Sequence, residues 1–268
     1  MSRPDWAPAG VDLDRPNVAR MYDYYLGGSH NFRVDREVAD QVIEMLPTLP
    51  RLAQANRAFL HRSVRYCLEA GIRQFLDLGS GIPTVGNVHE IAQRFDPSAR
   101  VAYVDLDPVA IAHARAILAG NENATAIMAD ARRPDEVLDH PEVRRVLDFS
   151  QPMAVLMVAL LHFVSDEDRP REMVARYVEE VVPGSLVVLT HGLAEEEVDW
   201  SSPVLQLYRR TPNPLFPRLR PEVESYFGDL ELVDPGAVLV PQWRPDAPRD
   251  AGGDDWCTFL AGVGRKVR

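Results

Sequence analysis

From residue 73 onward, short apolar runs alternate with stretches whose apolar residues recur at helical spacing. That alternation predicts a parallel sheet covered by helices on both faces. Strands are expected over 75–78, 101–105, 125–128, 154–161 and 186–190, and helices over 85–95, 108–118, 135–149 and 168–182. Pro108 and Pro134 stand where a first-turn proline is tolerated, because the missing N–H would have no intrahelical partner there. Before the sheet, about seventy residues read as helices over 17–26, 36–46 and 52–70. The third packs on the sheet, and the first two have no sheet partner and are free to cover something. After residue 190 a polar helix start over 194–198 leads into TPNPLFPRLRP, whose Pro212, Pro214, Pro217 and Pro221 predict an ordered surface loop. Apolar runs over 230–233, 238–241 and 256–263, with a Pro235-Gly236 turn, predict a hairpin-like pair at the sheet edge.

Composition narrows the partners. With 268 residues and 46% hydrophobic content the chain can bury one large core. A formal net charge of -11 argues against a surface built to grip nucleic acid, since phosphate binding draws on clustered Lys and Arg. Cys67 and Cys257 lie far apart, with no CxxC spacing and no adjacent histidine cluster, so neither a disulfide framework nor a metal site is expected. The longest apolar run, 153–161, is too short to cross a bilayer. A soluble protein of a reducing cytoplasm is the expectation.

The candidate chemistry sits at the strand ends. FLDLG runs into SGIPTVG, so a buried strand ends beside Asp77 and the turn Gly79-Ser80-Gly81 opens toward a ligand at the sheet's carboxyl edge. A dinucleotide fingerprint needs a third glycine where Thr84 stands, and a carboxylate at Asp77 repels pyrophosphate but suits an ammonium group. In VAYVDLDP, Asp105 is placed to accept from both hydroxyls of a ribose, while Asp107 reads as the N-cap before Pro108. In AIMADARRP, Asp130 can accept from an adenine amino group and the Ala131 N–H can donate to the ring. His162 and His191 end the fourth and fifth strands, where a histidine can serve as general base or simply pack.

FLDLGSG, AYVDLDP, MADAR and VALLHFV, in that order, resemble motifs I to IV of class I S-adenosylmethionine-dependent methyltransferases. More narrowly, ARMYDYYLGGSHNFRVDRE and the ending GVGRK resemble a family of uncharacterised bacterial S-adenosyl methyltransferases, formerly a domain of unknown function. The resemblance implies a Rossmann-like, doubly wound, seven-stranded sheet with an antiparallel last strand, S-adenosyl-L-methionine as cofactor, and a methyltransferase domain over 73–268 with a lid-like loop near 192–221. Residues 1–72 then form a helical lid and the first covering helix. Carried over by motif, Asp77, Gly79, Ser80 and Gly81 would hold the methionine part, Asp105 and Leu106 the ribose and adenine edge, Asp130 and Ala131 the adenine, and Leu160 the wall beneath the sulfonium. The run YDYYLGGSHNF reads as a helix closed by Gly27-Gly28, with Tyr22, Gly28 and Asn31 in the lid over the cofactor and tyrosine faces offering cation-π attraction to the sulfonium.

The activity implied is methyl transfer to a small-molecule acceptor that the sequence does not identify. No NPPY-type motif follows the fourth strand and nothing signals a metal-dependent catechol-type reaction. A non-catalytic protein that binds S-adenosylmethionine or S-adenosylhomocysteine is the other reading. Oligomeric state is open.

Overall fold

A computed structural model describes residues 8, 11–83, 86–194, 198–246 and 253–268. Thr84 and the acidic run 195–197 therefore lie outside the described residues, as does the start of the helix expected at 85. The central strands are β1 (Gln74–Leu78), β2 (Arg100–Asp105), β3 (Ala124–Met128), β4 (Ala154–Val158) and β5 (Leu186–Gly192), all parallel to one another. β8 (Phe259–Arg265) runs antiparallel against β5, with Leu186 opposite Arg265 and Gly192 opposite Phe259. The two-residue strands β6 (Glu231–Leu232) and β7 (Val238–Leu239) each pair with a different part of β8. The order is β3-β2-β1-β4-β5-β8-β6. Eight strands thus fill seven lanes, because the outermost lane is split between β6 and β7.

β1 is buried along its whole length, as a strand covered on both faces must be. On one face α3 (Leu49–Glu69), α4 (Val88–Phe95) and α5 (Pro108–Ile117) cover Phe75, Val101, Leu156 and Val188; Phe59 of α3 packs edge-on against the buried Trp243. On the other face α6 (Pro134–Leu138), α7 (Pro141–Val146), α8 (Pro170–Glu180) and α10 (Arg220–Ser225) cover Leu76, Val104, Val155 and Val187. The helix expected over 135–149 is two short ones, because Pro141 opens a new first turn and His140 caps it, its Nδ1 accepting from the Glu142 N–H.

The fourth strand stops at Val158, three residues earlier than its apolar run. Ala159 takes a left-handed φ of 56° and its N–H turns to Thr190 Oγ1 at 2.8 Å, after which Leu161–Phe163 forms a 3-10 turn. A non-glycine residue held in that region costs energy and is common beside functional sites.

α1 (Val18–Tyr25) and α2 (Arg33–Met45) form a layer of their own with α9 (Pro203–Tyr208), a helix within the segment expected to be a lid-like loop near 192–221. Met21, Tyr25, Val38, Ala39, Val42, Ala53, Leu207 and Tyr208 make its core. A buried polar knot pins this layer to the sheet. Arg20 Nε lies 3.3 Å from Asp35 Oδ2 and 3.8 Å from Asp107 Oδ2, while Asp35 accepts from the N–H groups of Asn17 and Phe32. Asp107 is the α5 N-cap, accepting from the Val109 N–H, as expected.

Candidate functional site

The order β3-β2-β1 then β4-β5 reverses direction between β1 and β4, and open α/β sheets bind ligands at the carboxyl ends of strands at such a point. A cavity of about 550 Å³ lies there, floored by the turns that follow β1 through β5 and roofed by α1, α2 and α9. Among the glycines that line it, the closest approach is at Gly79. Its φ of +66° strains any L side chain, and a Cβ there would fall 2.7 Å from Leu160 Cδ1, so a substitution would also push the Leu160 side chain aside.

Asp77, Gly79, Ser80, Gly81, Asp105, Leu106, Asp130, Ala131, Leu160 and His162 all line this cavity. Asp105 holds the glycine turn in place: Oδ2 accepts from the Gly81 N–H at 2.7 Å and Oδ1 from the Asp107 N–H at 2.8 Å. An ionised carboxylate offers about four acceptor positions, so about two remain for a ligand. Burial pushes the Asp77 carboxyl up to about 7, the Arg57 guanidinium opposing and Asp105 adding to the rise. Asp105 is pushed up to about 6, again chiefly by burial, with the N–H groups of Asp107 and Gly81 pulling it back.

Asp130 differs. Burial disfavours its charge, but Arg132 grips both its oxygens, with Nη2 to Oδ2 at 2.7 Å and Nε to Oδ1 at 3.0 Å, and the carboxyl ends below its ordinary value. Most of its accepting capacity is spent inside the protein.

The two histidines part company. His162 lines the cavity with Nδ1 accepting from the Gly192 N–H at 3.2 Å, which puts the proton of the neutral ring on Nε2. Burial, His191 and Arg218 hold it well below the usual imidazole range. His191 is fully buried and does not line the cavity. It donates from Nδ1 to the Gly192 carbonyl at 2.7 Å and accepts from Arg218 Nη1 at 3.2 Å, and burial drives it down to about 3.

YDYYLGGSHNF also divides. Tyr22 and Tyr25, one helical turn apart, both face the cavity. Tyr22 donates to the Ala53 carbonyl at 3.1 Å and accepts from Asn56 Nδ2 at 3.0 Å. Gly28 and Asn31 are not among the lining residues. They build a hub around buried Asp23, whose Oδ2 accepts from Asn31 Nδ2 at 2.8 Å and the His30 N–H at 2.9 Å, and a Cβ on Gly28 would fall 2.0 Å from Asp23 Oδ1. The glycine is there to let that carboxylate in.

A model of the S-adenosyl methyltransferase family matches residues 4–267. The chain belongs to that family. The methyltransferase is similar along 99% of its length to all of a crystal structure from Thermobifida fusca described as a candidate methyltransferase, at 41% identity and a TM-score of 0.92. It is similar along 95% of its length to 99% of a DUF574 family protein from Streptomyces avermitilis, at 39% identity and a TM-score of 0.89. No curated protein matches it. S-adenosyl-L-methionine is thus its methyl donor.

Residues missed in the sequence fit that cofactor's amino-acid arm. Asn56 Oδ1 and Arg57 Nε, on the α3 turn that lines the cavity, are buried without a hydrogen-bond partner. An unpaired buried donor next to the Asp77 carboxyl is costly alone and fits a zwitterion, carboxylate toward Arg57 and ammonium toward Asp77. Both sit mid-helix in a long amphipathic stretch, where only their polarity could have marked them. Among the described residues no helix is long and apolar enough to cross a membrane, and no group of three or more His, Cys, Asp or Glu is placed to hold a metal ion.

Proposed function

We propose that this enzyme transfers a methyl group to a small-molecule acceptor held between the strand ends and the helical lid. The observation that carries the reading is that one cavity holds an ionisable wall, with Arg57, Asp77 and Asp105, and faces it with an apolar, aromatic lid. The residue roles follow from chemistry. Asp77 and the unpaired Asn56 Oδ1 would take the ammonium, Arg57 the carboxylate, Asp105 the ribose hydroxyls, and Leu106 with the Ala131 backbone the adenine edge. Tyr22 closes the roof over them. Gly28 and Asn31 act one step removed, by fixing α1 through Asp23.

When bound, the cofactor supplies a methyl carbon already activated by a sulfonium leaving group. The protein's part is to orient the nucleophile and exclude water. His162 serves this as a neutral N–H donor at the cavity wall, since its one lone pair is spent on Gly192. His191 serves it as packing beneath, tied by Arg218, which also donates to the carbonyls of Leu161 and Val164 and so fixes the turn carrying His162. Asn213, Leu215 and Pro217 of the proline-dense loop complete the lining.

Calorimetric titration with S-adenosylhomocysteine, S-adenosylmethionine and NAD tests the assignment. Micromolar binding of both sulfur compounds, lost in Asp105→Ala and absent for NAD, is expected. A folded protein that binds neither would sink it.

A further inference from the structure

Once the cofactor roles are assigned, one part of the cavity is left over, and its chemistry differs from the rest. The charged lining groups Arg57, Asp77, Asp105, Asp107, Asp130 and Arg132 lie on α3 or at and just beyond the carboxyl ends of β1, β2 and β3. On the lid side the described lining residues contribute Val18, Val42, Leu46, Val204 and Leu215. Among the described residues the one carboxylate on that side, Asp199, is exposed at the rim, where its Oδ1 accepts from the N–H and Oγ of Ser201.

Between the two parts runs a row of rings, all facing the cavity. Phe259 of β8 is 5.3 Å from His162, His162 is 4.5 Å from Phe163, and Phe163 is 6.1 Å from Tyr208, centroid to centroid. The row ends where Tyr208 OH meets Tyr25 OH of α1 at 3.2 Å. Each phenol has one proton to donate. In this pair one hydroxyl donates and the other accepts, and the accepting hydroxyl's own proton has no acceptor among the described residues. A buried donor without a partner is unfavourable. Placed at the end of an aromatic row, among described lid-side residues that carry no charge apart from Asp199 at the rim, it is a built position for one acceptor oxygen.

We propose that the lid side takes an uncharged, planar, largely apolar methyl acceptor and holds one of its oxygens at the Tyr25–Tyr208 hydroxyl pair. Flat faces match the ring row by stacking or edge contact. A carbonyl or ether oxygen takes the spare proton. A carboxylate or ammonium in the same place would be desolvated with no counter-charge. This makes Tyr25 and Tyr208 specificity residues, contributed by two helices and 183 positions apart in the chain. The proposal rests on the methyltransferase reading above.

The test titrates three probes into protein saturated with S-adenosylhomocysteine: neutral 2-acetonaphthone, anionic naphthalene-2-carboxylate and oxygen-free 2-ethylnaphthalene. The ketone should bind at least about tenfold more tightly than the carboxylate, because burying an unpaired charge costs more than a hydrogen bond returns. In Tyr25→Phe/Tyr208→Phe the ketone should weaken by about 3- to 10-fold, the loss of one neutral hydrogen bond, with 2-ethylnaphthalene unmoved. Formation of the S-adenosylhomocysteine complex by the variant shows that it is folded. Equal binding of ketone and carboxylate, no ketone binding, or a ketone indifferent to the double substitution would each overturn the proposal. Loss of S-adenosylhomocysteine binding by the unmodified protein is a separate result, read first, and takes away the methyltransferase reading together with the acceptor assigned from it.

Discussion

The wall of the cavity at the strand ends and the wall made by the lid are put together differently. At the strand ends each functional group is fixed by neighbours close in the chain or in the next strand: Asp105 by the N–H groups of Asp107 and Gly81, Asp130 by Arg132, and Gly79 by the left-handed turn it makes. In the lid, Tyr22 is fixed by Ala53 and Asn56, and Tyr25 by Tyr208. The first wall follows from strand ends and turn chemistry and is charged. The second exists only after long-range packing, and is apolar with a few hydroxyls. A fixed cofactor calls for the first, whereas the second can vary its acceptor without disturbing the cofactor.

The largest expected effect breaks the first wall. Asp105→Ala should lower S-adenosylhomocysteine affinity by about 100-fold or more, since hydrogen bonds to a charged group are worth about 1.5–3 kcal/mol each and the Gly81 turn loses its tie as well. Asp105→Asn, which keeps one acceptor, should fall between. An affinity unchanged in both variants would mean that the ribose is held elsewhere. Next in size, Arg57→Met should cost S-adenosylhomocysteine about 10-fold or more, the loss of a charged hydrogen bond, while leaving 5′-methylthioadenosine, which has no amino-acid arm, nearly untouched. Equal losses for both ligands would show that Arg57 supports the fold and not the carboxylate.

How much of this was legible follows the same division. Strand ends can be read from apolar runs that stop at Asp or Gly, which is why Asp77, Gly79, Gly81, Asp105 and Asp130 were found and do line one cavity. Arg57 and Asn56 were not, because a polar residue in a 21-residue amphipathic helix looks like any solvated position until the helix is docked. Tyr208 was assigned to a loop because prolines at 212, 214, 217 and 221 hid the six-residue helix before them. Arg218 sits among those prolines yet is buried, with Asp166 and Glu222 as ion-pair partners. Gly28 and Asn31 stand out in the sequence as an unusual cluster, but neither lines the cavity, and their partner is Asp23, five residues before the glycine.

A pH titration sharpens the comparison, because it should move the first wall and not the second. In the free protein the Asp77 carboxyl is pushed up to about 7 and Asp105 to about 6. A raised carboxyl pKa means that the folded protein holds protons that the unfolded chain has released, so these groups weaken the free protein as pH rises from the ordinary carboxylate range toward 7. A cationic ammonium at Asp77 favours the ionised form. Cofactor binding should therefore release protons at pH 6, and affinity should climb between pH 5 and about 7 by up to roughly tenfold per unit for each proton released. Calorimetry in buffers of different ionisation enthalpy measures the release. Asp77→Asn should flatten the profile, and a profile equally steep in that variant would place the titrating group elsewhere.

The smallest effect concerns His162, where the two walls meet. A general base commonly contributes about 10²- to 10⁴-fold and titrates in the rate profile. His162 accepts from Gly192 at Nδ1, carries its proton on Nε2, and is kept neutral by burial beside His191 and Arg218. It has no free lone pair with which to take a proton from an acceptor. His162→Asn retains an acceptor near the position of Nδ1 and removes the ring. With an acceptor that turns over, this variant should lose less than about tenfold in kcat/KM, keep its S-adenosylhomocysteine affinity, and show the same pH–rate profile between 6 and 8. A loss of a hundredfold or more together with the disappearance of an ionisation from that profile would establish His162 as a base after all. Gly192 would then have to surrender its hydrogen bond during turnover, and the acceptor would reach the protein with its nucleophile still protonated.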